Sequence, residues 1–144
     1  MIDSLIEDKR EEFLVMLREM LRAKVHRATV TQTNVNYEGS LTLDAALMQA
    51  AGMIPYERVD VYNADGGARF STYLIPGAAG SGVACLNGAA AHLARVGDRI
   101  IIASYGAFSP EEIPSHRPTV VLVDHANRVN GIRREVTAGA EVTA

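Results

Sequence analysis

The chain is predicted to be a mainly β domain, a small barrel with short helices, and three observations carry that prediction. Short runs of alternating apolar and polar residues recur along it, separated by Gly, Pro, Asn and Asp. Asp65-Gly66-Gly67 stands between two such runs, a strong hairpin signal. The helical patterns after residue 40 are short, too short for long βαβ units, so six or seven short strands with two short helices point to a β-barrel.

In chain order, Ile2, Leu5, Ile6, Phe13, Leu17 and Leu21 recur with charge between them, which predicts a helix over residues 2–21 capped by Asp3 or Ser4. Residues 21–33 alternate like a strand, with Leu21, Ala23 and Val25 on one face and Lys24 and His26 on the other. Across Arg27-Ala28 the apolar phase changes, which fits a bulge. Residues 41–43 read as a short strand, and Asp44 caps a helix over 45–51 that Gly52 ends. Residues 58–63 and 68–75 form the two arms of the hairpin, and 76–82 form a loop poor in bulky side chains. Residues 83–86 read as a strand, 88–96 as a short helix, and Gly97-Asp98 as a turn into a strand over 99–105. The run Ile100-Ile101-Ile102-Ala103 predicts burial of that strand on both faces. A polar connection over 109–118 leads to a last strand over 119–124, and the tail after Asn130 lacks periodicity.

At 144 residues, 48% apolar and 22% charged, the chain suits one globular domain rather than a disordered segment. The net charge of −3 and the scattered Lys and Arg residues argue against a nucleic-acid surface. Cys85 stands alone, without a disulfide partner and without Cys/His spacing for zinc, so no metal is expected and the expected home is the reducing cytoplasm. No apolar run approaches the ~20 residues that span a bilayer. Asp3, Glu7 and Asp8 sit where a secretion signal carries positive charge, so neither a membrane nor an export role is expected.

Four stretches carry chemistry together. They are Lys24-Val25-His26-Arg27-Ala28-Thr29-Val30-Thr31, Tyr37-Glu38-Gly39-Ser40, Arg69-Phe70-Ser71-Thr72-Tyr73 and Asn87-Gly88-Ala89-Ala90-Ala91. Singly they are bland. Gly-Ser is a turn, Lys-x-His a solvated strand face, Arg69 a strand-end cation, Tyr73 a barrel aromatic, Thr72 a good strand former, and Asn-Gly-Ala-Ala a helix start. In this order they resemble the signature of the pyruvoyl-dependent aspartate 1-decarboxylases, over residues 16 to 129.

The resemblance implies a six-stranded double-psi β-barrel over 16–130. Residues 1–15 would be a helical extension or the product of an upstream start, and 131–144 a flexible tail. It implies that Ser40 attacks the Gly39 carbonyl, that the amide becomes an ester, and that elimination and hydrolysis leave a pyruvoyl group in place of Ser40. The chain would then consist of a β chain, 1–39, and an α chain, 40–144. That built-in group, with no pyridoxal phosphate, would form a Schiff base with L-aspartate and act as the electron sink for its decarboxylation to β-alanine, feeding pantothenate and coenzyme A synthesis.

Residue roles follow from the same resemblance. Tyr73 is the proton donor to the carbanion carbon. Thr72 steadies the oxyanion of the cleavage step and then contacts substrate. Arg69, whose planar fork suits a carboxylate, clamps the substrate. Lys24 and His26 lie near the new carboxyl end at Gly39 and the substrate, and the backbone of Asn87, Gly88, Ala89 and Ala90 offers N–H groups without bulk. On a regular strand Arg69 and Tyr73 share a face that Thr72 does not. The strand must therefore twist or end near Thr72, or the site must be shared between subunits, as in the homotetramer the resemblance implies. A maturation factor is a further partner the family allows. Two other functions fit a cut or an uncut Gly-Ser pair: a self-processing hydrolase with an N-terminal Ser40 nucleophile, and a non-catalytic β-barrel binding module.

Overall fold

The computed structural model describes residues 16–136. They fall into two compact units, residues 16–20 with 106–116 and residues 21–105 with 117–136. In the smaller unit the Phe108 and His116 rings stack with centroids 4.1 Å apart.

The chain is mainly β, and its described residues form nine strands rather than six or seven. They are β1 (Arg18–Thr29), β2 (Gln32–Asn34), β3 (Ser40–Asp44), β4 (Arg58–Asn63), β5 (Arg69–Gly77), β6 (Ala84–Asn87), β7 (Arg99–Phe108), β8 (Thr119–Val123) and β9 (Val129–Arg133), joined among the described residues by the α-helix α1 (Ala45–Ala51). The strand order is β2-β6-β3-β5-β4-β7-β1-β8-β9. Parallel pairs, β1/β8, β2/β6 and β3/β5, are mixed with antiparallel ones, β3/β6, β4/β5, β4/β7 and β8/β9. No helix among the described residues is long and apolar enough to cross a membrane.

Leu41, Leu43, Leu74, Leu86, Val25, Val61, Ile100 and Ile102 are fully buried, so the alternation of β1, β3, β4, β5 and β7 does point one face into a common core. Asp44 caps α1 through Ala46 N–H, 2.8 Å, and also accepts from Gly80 and Gly82 N–H at 3.0 and 2.8 Å, which ties the 78–82 loop to the start of the helix. Gly52 ends α1 in the left-handed region. In β7, Ile100, Ile102, Ala103 and Ser104 are buried and Ile101 half-buried, so burial on both faces is only partial.

Four sequence expectations need correction. The helix over 2–21 fails at its C-terminal end, because Arg18–Leu21 already belong to β1, and strand pairing overrides a helical spacing carried there by only Leu17 and Leu21. Residues 1–15 lie outside the described residues. The 21–33 strand is two strands. Arg27 takes φ 62° at the expected phase change, and the chain leaves the sheet at Val30-Thr31 before β2. The helix over 88–96 is a 3₁₀ turn, Gly88–His92, to which Asn87 gives no side-chain cap. Residues 131–133, read as tail, pair with β8, since backbone hydrogen bonds need no side-chain periodicity.

Candidate active site around Ser40

Residues 35–39 form an exposed turn, and Ser40, 1% exposed, is the first residue of β3. The chain thus passes from solvent into the core at the Gly39–Ser40 peptide. Ser40 Oγ donates to the Glu38 carbonyl oxygen, 3.1 Å, and accepts from Asn87 Nδ2, 2.9 Å. Cross-strand register explains the second bond, because Ser40 pairs directly with Asn87 in the antiparallel β3/β6 ladder.

Asn87 is itself held on two more sides. Its Nδ2 also donates to Thr42 Oγ1, 3.0 Å, and its Oδ1 accepts from Cys85 Sγ, 3.3 Å. Asn87 and Cys85 are 5% and 7% exposed, and burial pushes the Cys85 thiol above its usual range, which keeps it protonated and able to donate. The carboxamide that would have capped a helix at residue 88 is engaged with Ser40 and Thr42, and this accounts for the weak 3₁₀ turn that follows.

Ser40, Thr42, Cys85 and Asn87 open onto a cavity of about 810 Å³, walled also by Asn34, Tyr37, Glu38 and Ile75. Gly88 takes φ 66°, and a Cβ there would lie 2.7 Å from Gly39 N. The small-residue requirement read at Asn87-Gly88-Ala89-Ala90 is therefore met at Gly88 by contact with the chain itself. Ala89 is exposed and Ala90 buried.

Other predicted site residues are distributed differently. Thr72 and Tyr73 line a separate recess of about 270 Å³ with Arg58 and Ser71. Tyr73 nonetheless precedes Leu74 as Ser40 precedes Leu41, and those leucines pair in the parallel β3/β5 ladder, so Tyr73 lies next along the sheet from Ser40. Strand β5 runs without a break from Arg69 to Gly77, so it does not end near Thr72. Arg69 is exposed, and its guanidinium stacks 4.3 Å from the centre of the Tyr62 ring.

Lys24 and His26 share a face of β1 beside Val120 and Leu122 of β8. They line neither recess. Burial lowers the Lys24 pKa, and burial with the charges of Lys24, Arg27 and Arg133 lowers that of His26 to about 4. The His26 Nδ1 atom is buried and has no hydrogen-bond partner among the described residues.

Sequence reasoning missed Thr42, Cys85 and Tyr62. Thr42 and Cys85 face each other across β3/β6, and Tyr62 faces Arg69 across β4/β5. The hairpin signal at Asp65-Gly66-Gly67 was enough to find the last pair by counting outward, whereas β3 and β6 are joined by no short turn that fixes their register.

The residues present fit a pyruvoyl group made from Ser40. The Ser40 hydroxyl is buried and oriented on two sides, and the neighbouring Gly39 is cradled by a position that only glycine fills.

Comparison with known proteins agrees in one direction. The aspartate decarboxylase family model matches residues 16–130. The chain is 58% identical over 113 residues to the aspartate 1-decarboxylase of Syntrophobacter fumaroxidans, covering 78% of this chain and 91% of that one. It is 56% identical to that of Bordetella avium, covering 83% of this chain and 98% of that one. To that of Listeria monocytogenes it is 50% identical, covering 85% and 97%. This chain belongs to the aspartate decarboxylase family.

Proposed function

We propose that the chain cleaves itself between Gly39 and Ser40 and then decarboxylates L-aspartate at its α-carboxylate, giving β-alanine and carbon dioxide. One observation carries this within the family: a buried serine hydroxyl, held by Glu38 O and Asn87 Nδ2, directly follows a glycine whose backbone is packed against Gly88.

In the cleavage, Ser40 Oγ bonds to the Gly39 carbonyl carbon and the C–N bond breaks, leaving an ester and a free amine. Loss of the Ser40 α-proton and departure of Oγ with the Gly39 carboxylate follow, and water then replaces the amine nitrogen, released as ammonia. When in place, the resulting pyruvoyl group supplies an electrophilic carbonyl that takes up the electrons freed as carbon dioxide leaves.

The remaining roles belong to side chains. Arg69, steadied on the Tyr62 ring, offers a fork to a substrate carboxylate. Tyr73 delivers a proton to carbon, and Thr72 steadies charge on the cleavage oxyanion. Lys24 and His26 present positive or donor groups to carboxylates, including the one freed at Gly39. Arg69, Lys24 and His26 line neither the Ser40 cavity nor the Thr72–Tyr73 recess of one chain, which supports a homotetramer whose sites lie where subunits meet.

Intact-mass analysis of the purified protein tests the reading. Two fragments are expected, split after Gly39, the second lighter than a serine-started chain by one ammonia and reactive toward borohydride. A Ser40→Ala chain should stay whole and inactive. A full-length wild-type chain that still forms β-alanine, or a fragment that begins with intact serine, would overturn it.

A further inference from the structure

We propose that Thr42 and Cys85 are positioning residues for self-cleavage: facing each other across β3 and β6, they fix the Asn87 carboxamide in the one orientation that turns its NH₂ toward Ser40 Oγ. The proposal rests on the reading that Ser40 Oγ is the cleaving oxygen.

An asparagine side chain has two orientations related by a half-turn, with oxygen and nitrogen exchanged, and its neighbours decide between them. Ser40 and Cys85 decide here, and Thr42, whose hydroxyl can serve either end of an amide, braces the result. The Ser40 hydroxyl proton is committed to the Glu38 carbonyl, so Ser40 Oγ has only lone pairs to offer Asn87 and must meet the NH₂ group. Thr42 Oγ1 accepts the second proton of the same NH₂. On the far side the Cys85 thiol donates to Oδ1. A thiol is a poor acceptor, so with the amide reversed the NH₂ would face sulfur and two oxygens would face each other at Ser40. Ser40, Cys85 and Asn87 are buried and Thr42 half-buried, where water does not readily replace a lost partner.

The orientation bears on the reaction because the same oxygen is used twice. Ser40 Oγ first attacks Gly39 and later departs with its carboxylate, and negative charge grows on it as it leaves. An N–H donor already aimed at that atom holds it in place for the first event and stabilises it in the second. Thr42 and Cys85 hydrogen-bond to Asn87, which in turn reaches Ser40. Each acts through Asn87.

The test pairs a rate with a spectrum. Precursor cleavage is followed by intact mass in the full chain and in Cys85→Ala, Cys85→Ser, Thr42→Val and Thr42→Ser, with the thermal unfolding midpoint measured alongside. Cys85→Ala and Thr42→Val should slow cleavage by roughly two- to tenfold, the range an ordinary hydrogen bond gives, and the serine variants should recover most of the loss. Cleavage at the wild-type rate in all four would overturn the proposal, as would equal slowing of the serine and apolar variants. Since Cys85 is the chain's single cysteine, its S–H stretching band in the infrared is assignable without labels. In the uncleaved precursor it should lie below the position of an unbonded thiol and return there in uncleaved Asn87→Ala. A precursor band at the unbonded position would overturn the proposal even where a variant fails to fold. A wild-type chain that stays whole would overturn the reading of Ser40 instead, whereas a wild-type chain that cleaves with every variant keeping pace would overturn the clamp alone.

Discussion

The backbone of Gly39 fills the space that a side chain at Gly88 would occupy. A Cβ at position 88 would stand 2.7 Å from both Gly39 N and Gly39 Cα and 2.9 Å from the Tyr37 carbonyl oxygen, and Gly88 also takes φ 66°. Atoms of the main chain cannot swing aside as a flexible side chain can. Gly88→Ala therefore pushes the Gly39–Ser40 peptide out of reach of the groups that hold Ser40. Since displacements near 1 Å cost reactions of this kind orders of magnitude, cleavage should slow by roughly a hundredfold. A denaturing gel that shows normal processing of Gly88→Ala would separate the contact from the chemistry.

Tyr73 directly precedes Leu74, the β5 partner of Leu41, but lines the recess shared with Thr72, outside the Ser40 cavity. A residue so placed can serve substrate chemistry without touching the Ser40 hydroxyl. Tyr73→Phe should leave cleavage at its normal rate and reduce kcat by on the order of a hundredfold, the usual worth of a positioned acid. Normal turnover in the cleaved variant would remove Tyr73 from proton delivery.

Much of this arrangement was legible in the chain before its fold. The αL end of α1 at Gly52, the Asp44 cap and the two arms around Asp65-Gly66-Gly67 follow from local rules that tertiary structure did not overturn. Ser40 and Asn87 were both readable as site residues by resemblance, but not their mutual bond. That bond depends on the β3/β6 register, fixed by packing of Leu41, Leu43, Leu86 and Ala84 rather than by a short turn. Cys85 gave no signal beyond being single. A half-apolar residue in a short strand looks like core until its partner across the sheet is known. The 3₁₀ turn at Gly88–His92 was misread for the same reason, since a cap was inferred where the Asn87 side chain had a remote partner.

Glu57 shows how acid should loosen the fold. Burial raises its pKa, but hydrogen bonds from Ser104, Arg22 and Ile54 N–H and the Arg22 charge outweigh that, so the net shift is downward from 4.5. Arg22 Nη2 lies 2.7 Å from Glu57 Oε2 and also reaches Ser104 Oγ at 3.1 Å. A depressed carboxylate contributes stability fully above its unfolded value and loses it as pH falls through the folded one. Stability should therefore decline below about pH 4.5, and Glu57→Gln should flatten that decline while costing about 1–3 kcal/mol at neutral pH. Urea midpoints at pH 7, 5 and 3.5 read both effects, and an unchanged slope in Glu57→Gln would move the acid response elsewhere.

His26 responds in a different window and with the opposite protonation logic. Burial first, then the charges of Lys24, Arg27 and Arg133, hold its folded pKa near 4, against 6.5 for a free imidazole. Between those values the unfolded chain takes up a proton that the folded chain refuses, so this group's effect is flat above pH 6.5 and destabilises the fold progressively down to about pH 4. Glu57 contributes its loss mainly below 4.5, so between pH 6.5 and 5 the difference between wild type and a His26 variant reports this imidazole. Wild-type protein should lose urea resistance across that interval, and His26→Gln, which cannot ionise, should lose less. A carboxylate seated against Lys24 and His26 would favour the imidazolium and raise its pKa, shrinking the same loss. Equal pH dependence in the two proteins would mean that His26 is not held neutral by its surroundings.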